Sequence, residues 1–264
     1  MNKRIVIRAA VLIIAGALGL WYILHSRGSK PPPVPATAQQ AAPATEEAAI
    51  AHPLPQGAED AASKAPLPAL ADSDPAVSSA LSAIVGDAAV KDYLVPENII
   101  RRIVVTIDNL PRQKVAMDKR AVGAVAGNFR ADGDELHSTL NPENFARYQP
   151  VVSVIAKLDV RQLKAMYVHF YPLFQSAYQN LGYPNGYFND RLVQVIDVLL
   201  ATPQPTGPIE LARPNVMYTF ADPALEARPA GQKLLIRMGP ENAAVIKSKL
   251  VELRAAVTAA TLKR

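Results

Sequence analysis

The 264-residue sequence contains no cysteine, four histidines and few aromatic residues, 6% of the total. The absence of cysteine excludes disulfide bonds, thiolate metal sites and a cysteine nucleophile. Only His137 and His169 fall after the first quarter of the chain, and neither stands at a metal-ligand spacing from a carboxylate. No nucleophile elbow, phosphate-binding loop or dinucleotide fingerprint is present. The sequence therefore predicts no catalytic residue, no metal and no cofactor.

The sequence also lacks a concentrated basic surface, although its net charge is +5 and its pI is about 9.4. Residues 1–30 are purely basic, residues 31–75 are acidic, and residues 76–264 intersperse both signs. Interspersed charges are typical of an ordinary solvated surface. Nucleic-acid binding requires a clustered basic stripe, so no nucleic-acid partner is expected.

One long apolar run is present, close to the N-terminus. Residues 9–24 are uncharged and mostly apolar, and residues 5–24 together are long enough to cross about 30 Å of hydrocarbon. Trp21 and Tyr22 stand at the far end, where aromatic rings settle at a membrane interface. A cleaved signal peptide is the alternative, but the small residues come too early for its cleavage site. We predict an N-terminal membrane anchor over residues 1–30.

Basic residues around this run predict its orientation. Lys3, Arg4 and Arg8 precede the apolar core, whereas only Arg27 and Lys30 follow it. Because loops on the cytoplasmic side carry the excess of basic residues, the N-terminus is expected inside the cell. In a Gram-negative cell this orientation predicts a single-pass protein of the inner (cytoplasmic) membrane with its domain in the periplasm.

A proline- and alanine-rich segment separates the predicted anchor from the rest. Residues 31–75 contain ten of the 23 prolines and no aromatic residue. Such a composition buries too little apolar surface to offset the entropy of ordering, so we predict a disordered or extended linker.

Residues 76–264 are predicted to form a mostly α-helical domain with one small β-hairpin. Helix caps and prolines define the boundaries, and apolar spacings of three and four define the buried faces. The predicted elements are a helix from Asp74 to Gly86, a helix between Pro96 and Pro111, a surface loop over residues 112–140, a helix from Asn141 that breaks at Pro150, a long helix capped by Asp159, a helix capped by Asn189, a hairpin over residues 209–220, and two helices separated by Gly239 and Pro240.

The helix that follows Asp159 has the most distinctive pattern. Pro172 falls in its middle, where it removes a main-chain donor and predicts a kink. Its apolar stripe consists of Leu163, Tyr167, Phe170, Phe174, Tyr178 and Leu181.

Four stretches of the sequence carry a family resemblance. They are DNLPR at residues 108–112, YPLFQSAYQNLGYPNGYFNDRLVQVIDVLLATP from Tyr171, GPIELARPNVMYTFADPALE, and AGQKLLIRMGPENAAVIKSKL. Together they resemble the bacterial domain-of-unknown-function family 3014 over about residues 76–258. The resemblance implies the family's usual layout, a short membrane helix, a variable proline-rich spacer and a domain. It implies no catalytic residue, cofactor or partner.

Aromatic residues concentrate between residues 167 and 188 and offer one candidate binding surface. The candidates are Tyr171, Tyr178, Tyr183, Tyr187 and Phe188, of which the last three flank the turn at residues 184–186. Tyrosine-lined grooves suit peptide side chains and sugar faces. The alternative is that these rings pack the long helix against its neighbours.

Asp197 is the second candidate, because it stands within the apolar run VIDVLL. A buried carboxylate must be paired, hydrogen-bonded or protonated. We expect a structural ion pair with Arg213 or Arg237. The alternative is a catalytic acid of raised pKa, which needs a second carboxylate such as Glu210 or Asp222.

These observations predict a non-enzymatic envelope protein that binds or scaffolds a protein partner or the peptidoglycan cell wall. The alternative is an envelope hydrolase that cleaves glycan or peptide. A cleft holding two suitably spaced carboxylates favours the hydrolase, and an aromatic groove without such a pair favours binding.

Overall fold

Helices built on the predicted apolar spacings make up most of the part of the chain that can be described. The structure, a computed structural model, describes residues 50–54, 66–134, 137–214 and 216–258. All of them belong to one unit, residues 47–264. The predicted anchor over residues 1–30 lies outside the described residues. Within the described residues, no helix is both long and apolar enough to cross a membrane.

The described residues contain ten α-helices, preceded by a short 3-10 turn. The turn is Leu70–Asp72, and the helices are α1 (Asp74–Val85), α2 (Asp87–Tyr93), α3 (Ile99–Asn109), α4 (Glu143–Ala146), α5 (Gln149–Ala156), α6 (Val160–Asn180), α7 (Phe188–Leu200), α8 (Pro223–Glu226), α9 (Ala230–Met238) and α10 (Pro240–Thr258).

Four short strands form one antiparallel sheet in the order β1-β2-β3-β4. They are β1 (Ala131–Gly133), β2 (Ser138–Leu140), β3 (Glu210–Ala212) and β4 (Thr219–Phe220). The β3–β4 pair, with Leu211 opposite Phe220, confirms the predicted hairpin. The β1–β2 pair corrects the prediction of a loop over residues 112–140, because three-residue strands are too short to show a clear period of two.

The largest core cluster lies among α1, α3, α6, α7 and α10. Phe188 from α7 is completely buried there, and its ring stacks on Phe174 from α6 with centroids 5.8 Å apart. Val77 from α1 and Val257 from α10 close the cluster from opposite ends of the sequence, and both are fully buried. Five helices therefore share one apolar interior.

Two smaller clusters connect this core to the sheet. One joins α7 to α9 and α10 through Val195, Leu235 and Ala243. The other covers one face of the sheet and contains Leu140, Leu211, Phe220 and Ile236. The sheet is thus held on the helical layer by α9, which contributes to both clusters.

The long helix α6 agrees with the prediction over most of its length. Asp159 caps it by accepting a hydrogen bond from the Arg161 main-chain N–H at 2.8 Å. The helix continues through Pro172, which lies on its exposed side. Leu181 was expected in the buried stripe but is 38% exposed, because the helix ends at Asn180.

Two predicted caps have other roles in the structure, and one predicted helix break is present. The Asp74 carboxylate accepts the main-chain N–H groups of Asn98 and Ile99, at 2.7 and 2.8 Å, so it caps α3 instead of its own helix. Asn189 does not cap α7; it is completely buried within the first turn. The helix predicted to break at Pro150 does end before it: α4 ends at Ala146, and Pro150 stands in the first turn of α5, where its missing N–H costs nothing.

The prediction of a disordered or extended linker over residues 31–75 did not anticipate ordered contacts near its end. Leu54, Leu67 and Leu70 pack against the largest core cluster. The part of the chain that packs as the domain therefore begins before residue 76.

Candidate functional site

The aromatic candidates divide into core residues and residues at the core's edge. Tyr171, Tyr178 and Phe188 are buried, with exposures of 8%, 6% and 0%. Tyr183 and Tyr187 are half-buried. The Tyr183 ring stacks on Tyr178 with centroids 4.6 Å apart. Packing of the long helix thus accounts for most of the cluster, and only its edge is available to a ligand.

The turn between α6 and α7 is fixed by one glutamine that the sequence analysis did not single out. The Gln175 Nε2 donates to the Gly186 carbonyl at 2.7 Å, and its Oε1 accepts from the Phe188 N–H at 2.9 Å. A Cβ at Gly186 would lie 2.7 Å from the Tyr178 ring, so only glycine permits this approach. Gln175 and Gly186 therefore set the start of α7 and the positions of the tyrosines beside it.

An open groove, which we name the α7 groove, runs along the exposed side of α7. Residues 50–54, which we name the strap, lie along one side of it, and about 780 Å³ remains open. The groove residues used below are Tyr178, Tyr183, Tyr187, Asp190, Arg191, Gln194 and Asp197.

The strap bends at Ala51 and His52 and is held by its main-chain atoms. The two oxygens of Asp190 accept the N–H groups of Ala51 at 3.1 Å and His52 at 2.6 Å. The Tyr187 hydroxyl accepts the N–H of Leu54 at 3.2 Å. Hydrogen bonds to a carboxylate are stronger than those between neutral groups. Asp190 thus fixes the direction of the strap at two consecutive residues.

Asn189 connects the strap to the core. Its Nδ2 donates to the His52 carbonyl at 2.8 Å and to the Val257 carbonyl at 3.1 Å. Its Oδ1 accepts the Tyr167 hydroxyl at 3.1 Å, and its N–H donates to the Tyr171 hydroxyl at 3.3 Å. One fully buried amide therefore links the strap, α6, α7 and the end of α10. The strap contact is part of a satisfied buried network.

A buried charge cluster lies beside the groove, built on the DNLPR motif. Asp108, only 1% exposed, accepts from the guanidinium of Arg112 at 2.6 Å and from that of Arg191 at 3.0 Å. The Arg112 guanidinium also donates to the Tyr183 hydroxyl at 2.9 Å, which fixes a groove tyrosine. Asp108 raises the pKa of Arg112 by its charge. The resemblance included this motif, but the sequence analysis assigned it no role.

Asp197 corrects the prediction of a buried carboxylate. Its side chain is 48% exposed, and it forms a two-point ion pair with Arg254 at 2.6 and 3.1 Å. The hydrogen bonds from Arg254 lower the pKa of Asp197, and the charge of His52 adds to this effect. Its apolar neighbours misled the prediction, since one exposed position per turn is enough to place a carboxylate in solvent.

The predicted partners of Asp197 lie at the sheet. The Arg213 guanidinium lies over the Tyr218 ring at 5.4 Å, and that of Arg237 over the Phe220 ring at 4.6 Å. Burial lowers the pKa of Arg237.

The carboxylates proposed to work with Asp197 are also away from the α7 groove. Glu210 and Asp222 line a separate depression beside Pro208. The Asp222 side chain accepts the Ala224 N–H at 2.8 Å and thereby caps α8. The structure does not bring either residue together with Asp197 along the groove.

The buried tyrosines keep their protons. Burial raises the pKa of Tyr167, Tyr171 and Tyr178. A neutral hydroxyl both donates and accepts a hydrogen bond, so Tyr171 can donate to Gln175 while it accepts from Asn189. Among the described residues, no three histidine or acidic side chains are grouped so as to hold a metal ion. The arrangement is suited to hydrogen-bonding the main chain of a peptide.

Comparison with known proteins gives one match. A family model described as "Protein of unknown function (DUF3014)" matches residues 99–254, more than half of the chain. No curated protein and no solved structure matches the chain. The match confirms the resemblance seen in the sequence and includes Asp108, Tyr187 and Asp190, but not the strap. The chain belongs to the DUF3014 family.

Proposed function

We propose that this chain is a membrane-anchored envelope protein whose domain binds a short peptide segment of a partner protein in the α7 groove without catalysing a reaction. The observation that carries the proposal is the strap. The groove wall holds this bent five-residue segment through its main-chain atoms, using Tyr187, Asn189 and Asp190. Recognition of main-chain groups with one or two side-chain contacts is a common way to bind peptides.

The charges along the groove support binding over hydrolysis. A glycoside hydrolase, whether it retains or inverts the configuration of the sugar, needs one carboxyl group of raised pKa near a second carboxylate. Asp197 instead has a lowered pKa and is held by Arg254. Asp190 uses both oxygens to accept main-chain N–H groups. Both carboxylates along the groove therefore act as fixed anions.

The aromatic residues support a peptide over a glycan. A sugar ring stacks on an exposed aromatic face, but the faces of Tyr178 and Tyr171 are buried against neighbouring rings. The half-buried Tyr187 presents a hydroxyl that already accepts a main-chain N–H. These groups match a polypeptide better than a saccharide.

The family match supports a role for the groove itself. Residues 99–254 include the groove side chains of α7 and the tyrosines before it, whereas residues 50–54 lie outside that range. A single-pass anchor followed by a proline-rich spacer, as the sequence predicts, would present this groove in the periplasm.

Site-specific photocrosslinking in intact cells tests the proposal. A photoreactive amino acid at Gln194, an exposed groove position, should crosslink to a partner through a short continuous segment of that partner. The matched control is the same label at Ser248, which is exposed on α10 and outside the groove. Combining Tyr187→Phe with Asp190→Asn should abolish the Gln194 crosslink. Crosslinks that form equally from Ser248, or to cell-wall fragments, would reject the proposal.

A further inference from the structure

The contacts of the strap specify which chain segments can bind at its position. Within the described residues, the four hydrogen bonds of the strap use three main-chain N–H groups and one main-chain carbonyl. The donors are at residues 51, 52 and 54, and the accepted carbonyl is that of residue 52. Proline can therefore occupy the position of Pro53, but it cannot replace a donor.

Side chains of the strap add two weaker requirements. Leu54 is half-buried and packs against the largest core cluster, so an aliphatic residue is favoured there. His52 is half-buried and lines the groove together with Asp197, so an acidic residue is disfavoured at its position. The side chains of Ile50, Ala51 and Pro53 are exposed, so their positions place little restriction on the side chain of a bound segment.

The Asp190 carboxylate beside the position of residue 52 disfavours an acidic side chain there. Asp190 has no ion-pair partner among the described residues. Arg254 pairs with Asp197, whereas Arg112 and Arg191 share the single carboxylate of Asp108. Asp190 accepts the N–H of residue 52 itself, so an acidic side chain at this position is repelled.

We propose that the strap is a resident copy of the ligand: the partner segment has the pattern of residues 51–54, namely two consecutive residues with free N–H groups, the second of them not acidic, then proline, then an aliphatic residue, and it binds by replacing the strap on Tyr187, Asn189 and Asp190. This inference rests on the proposed function and specifies its partner. The strap stands outside the family-matched range, whereas the residues that hold it stand inside. Its replacement leaves the helices of the domain in place.

Peptide binding to the full-length chain in detergent tests this pattern. The probe is a fluorescent peptide, AIAHPLPQ, with the sequence of residues 49–56. Ala51→Pro removes one strap donor, whereas the matched control Ala51→Ser keeps the N–H at the same exposed position. Ala51→Pro should bind the peptide at least about tenfold more tightly than the wild-type and control chains, because the resident competitor is weakened. Leu54→Ser is a second strap variant and should act in the same direction.

Changes to the peptide separate main-chain from side-chain recognition. Methylation of the peptide nitrogen that corresponds to residue 51 should weaken binding by about tenfold, because one charge-assisted hydrogen bond is lost. Glutamate in place of the histidine should weaken it by about threefold or more. Equal affinity for all chains, or an unaffected methylated peptide, would overturn the inference.

The outcome for the partner distinguishes this inference from the function on which it rests. If the Gln194 crosslink persists in a large excess of AIAHPLPQ, the groove binds a partner by another pattern; the function stands and this inference fails. If neither the crosslink nor the peptide is observed, both fail. Dimerisation of the Ala51→Pro chain that the peptide cannot reverse would show strap exchange between copies and would also overturn the inference.

Discussion

Asp108 and Arg191 form a buried ion pair in which the arginine binds both the side chain and the main chain of the aspartate. Its guanidinium donates to the Asp108 carboxylate at 3.0 Å and to the Asp108 carbonyl at 2.8 Å. The pair connects the end of α3 to the first turn of α7. It therefore fixes the helix that carries Asp190 against the helix that carries the DNLPR motif.

Removal of the Asp108 carboxylate is expected to be strongly destabilising. Asp108→Ala leaves the Arg191 guanidinium, itself only 17% exposed, without its counter-charge, which should lower the free energy of unfolding by about 3–5 kcal/mol. The control is Asp118→Ala, since Asp118 and its partner Lys119 are largely exposed; it should change the value by less than about 1 kcal/mol. Urea unfolding measures both. Equal effects would show that the cluster does not stabilise the fold.

The packing of residues before Asp74 predicts where a stable fragment begins. A fragment of residues 47–264 should be more stable than one of residues 76–264 by a few kcal/mol, because the shorter one loses the buried parts of Leu54, Leu67 and Leu70. It also loses the Asp74 cap of α3, about 1 kcal/mol. Thermal unfolding followed by circular dichroism compares the two. Coincident transitions would mean that these residues add nothing to the core.

The ion pair of Asp197 and Arg254 is expected to contribute little. Because both side chains are partly exposed, Asp197→Asn should lower the free energy of unfolding by about 0.2–1 kcal/mol at neutral pH. Arg254 lowers the pKa of Asp197 below its ordinary value of 3.8, so the contribution is present above pH 3.8 and disappears as the pH falls through the lowered pKa. Unfolding of both proteins across this range measures it. A difference that grows on acidification would have the wrong sign.

Gly186 is expected to tolerate no side chain. In Gly186→Ala the new Cβ would lie 2.7 Å from the Tyr178 ring and 2.9 Å from the Tyr183 Cβ, so the tyrosine stack must shift, at a cost of about 1–3 kcal/mol. Gly123→Ala is the control, because its Cβ would meet only the Tyr93 carbonyl at 3.8 Å. Near-ultraviolet circular dichroism of the tyrosines should change in the first variant alone.

The proposed location is tested by a reporter joined after residue 75. The excess of basic residues before the apolar run predicts that this position faces the periplasm, so an alkaline phosphatase fusion should be active. A fusion with Lys3, Arg4 and Arg8 changed to neutral residues is the control and should lose much of that activity. An active cytoplasmic reporter at residue 75 would contradict the proposed orientation.

The sequence predicted those features that local rules determine. The helices around Ile99–Asn109 and Val160–Asn180, the break at Gly239 and the β3–β4 hairpin follow from apolar period, caps and prolines. The pairing of β2 with β3 was not predictable, because it joins residues about seventy positions apart through strands of three residues. Asp74 capping α3 was missed for the same reason, since its acceptor role depends on tertiary contact.

The candidate site was predicted less completely than the fold. Tyr187 was named, but Asp190 and Asn189 were not assigned to a ligand, because their partner is a segment about 138 residues earlier in the chain. Asp197 was predicted to be ion-paired, and the partner, Arg254, lies on a helix whose position relative to α7 no local pattern encodes.

The main-chain character of the strap contacts has a consequence for how this segment changes during evolution. A substitution at Ala51 that keeps the N–H leaves its hydrogen bond to Asp190 intact, so this position can change in sequence while the bound geometry persists. Relatives could therefore carry an equivalent segment that shares no identical residue with residues 50–54. Such a segment would be identified by how many residues separate its proline from the two main-chain N–H groups that bind Asp190, and not by sequence identity.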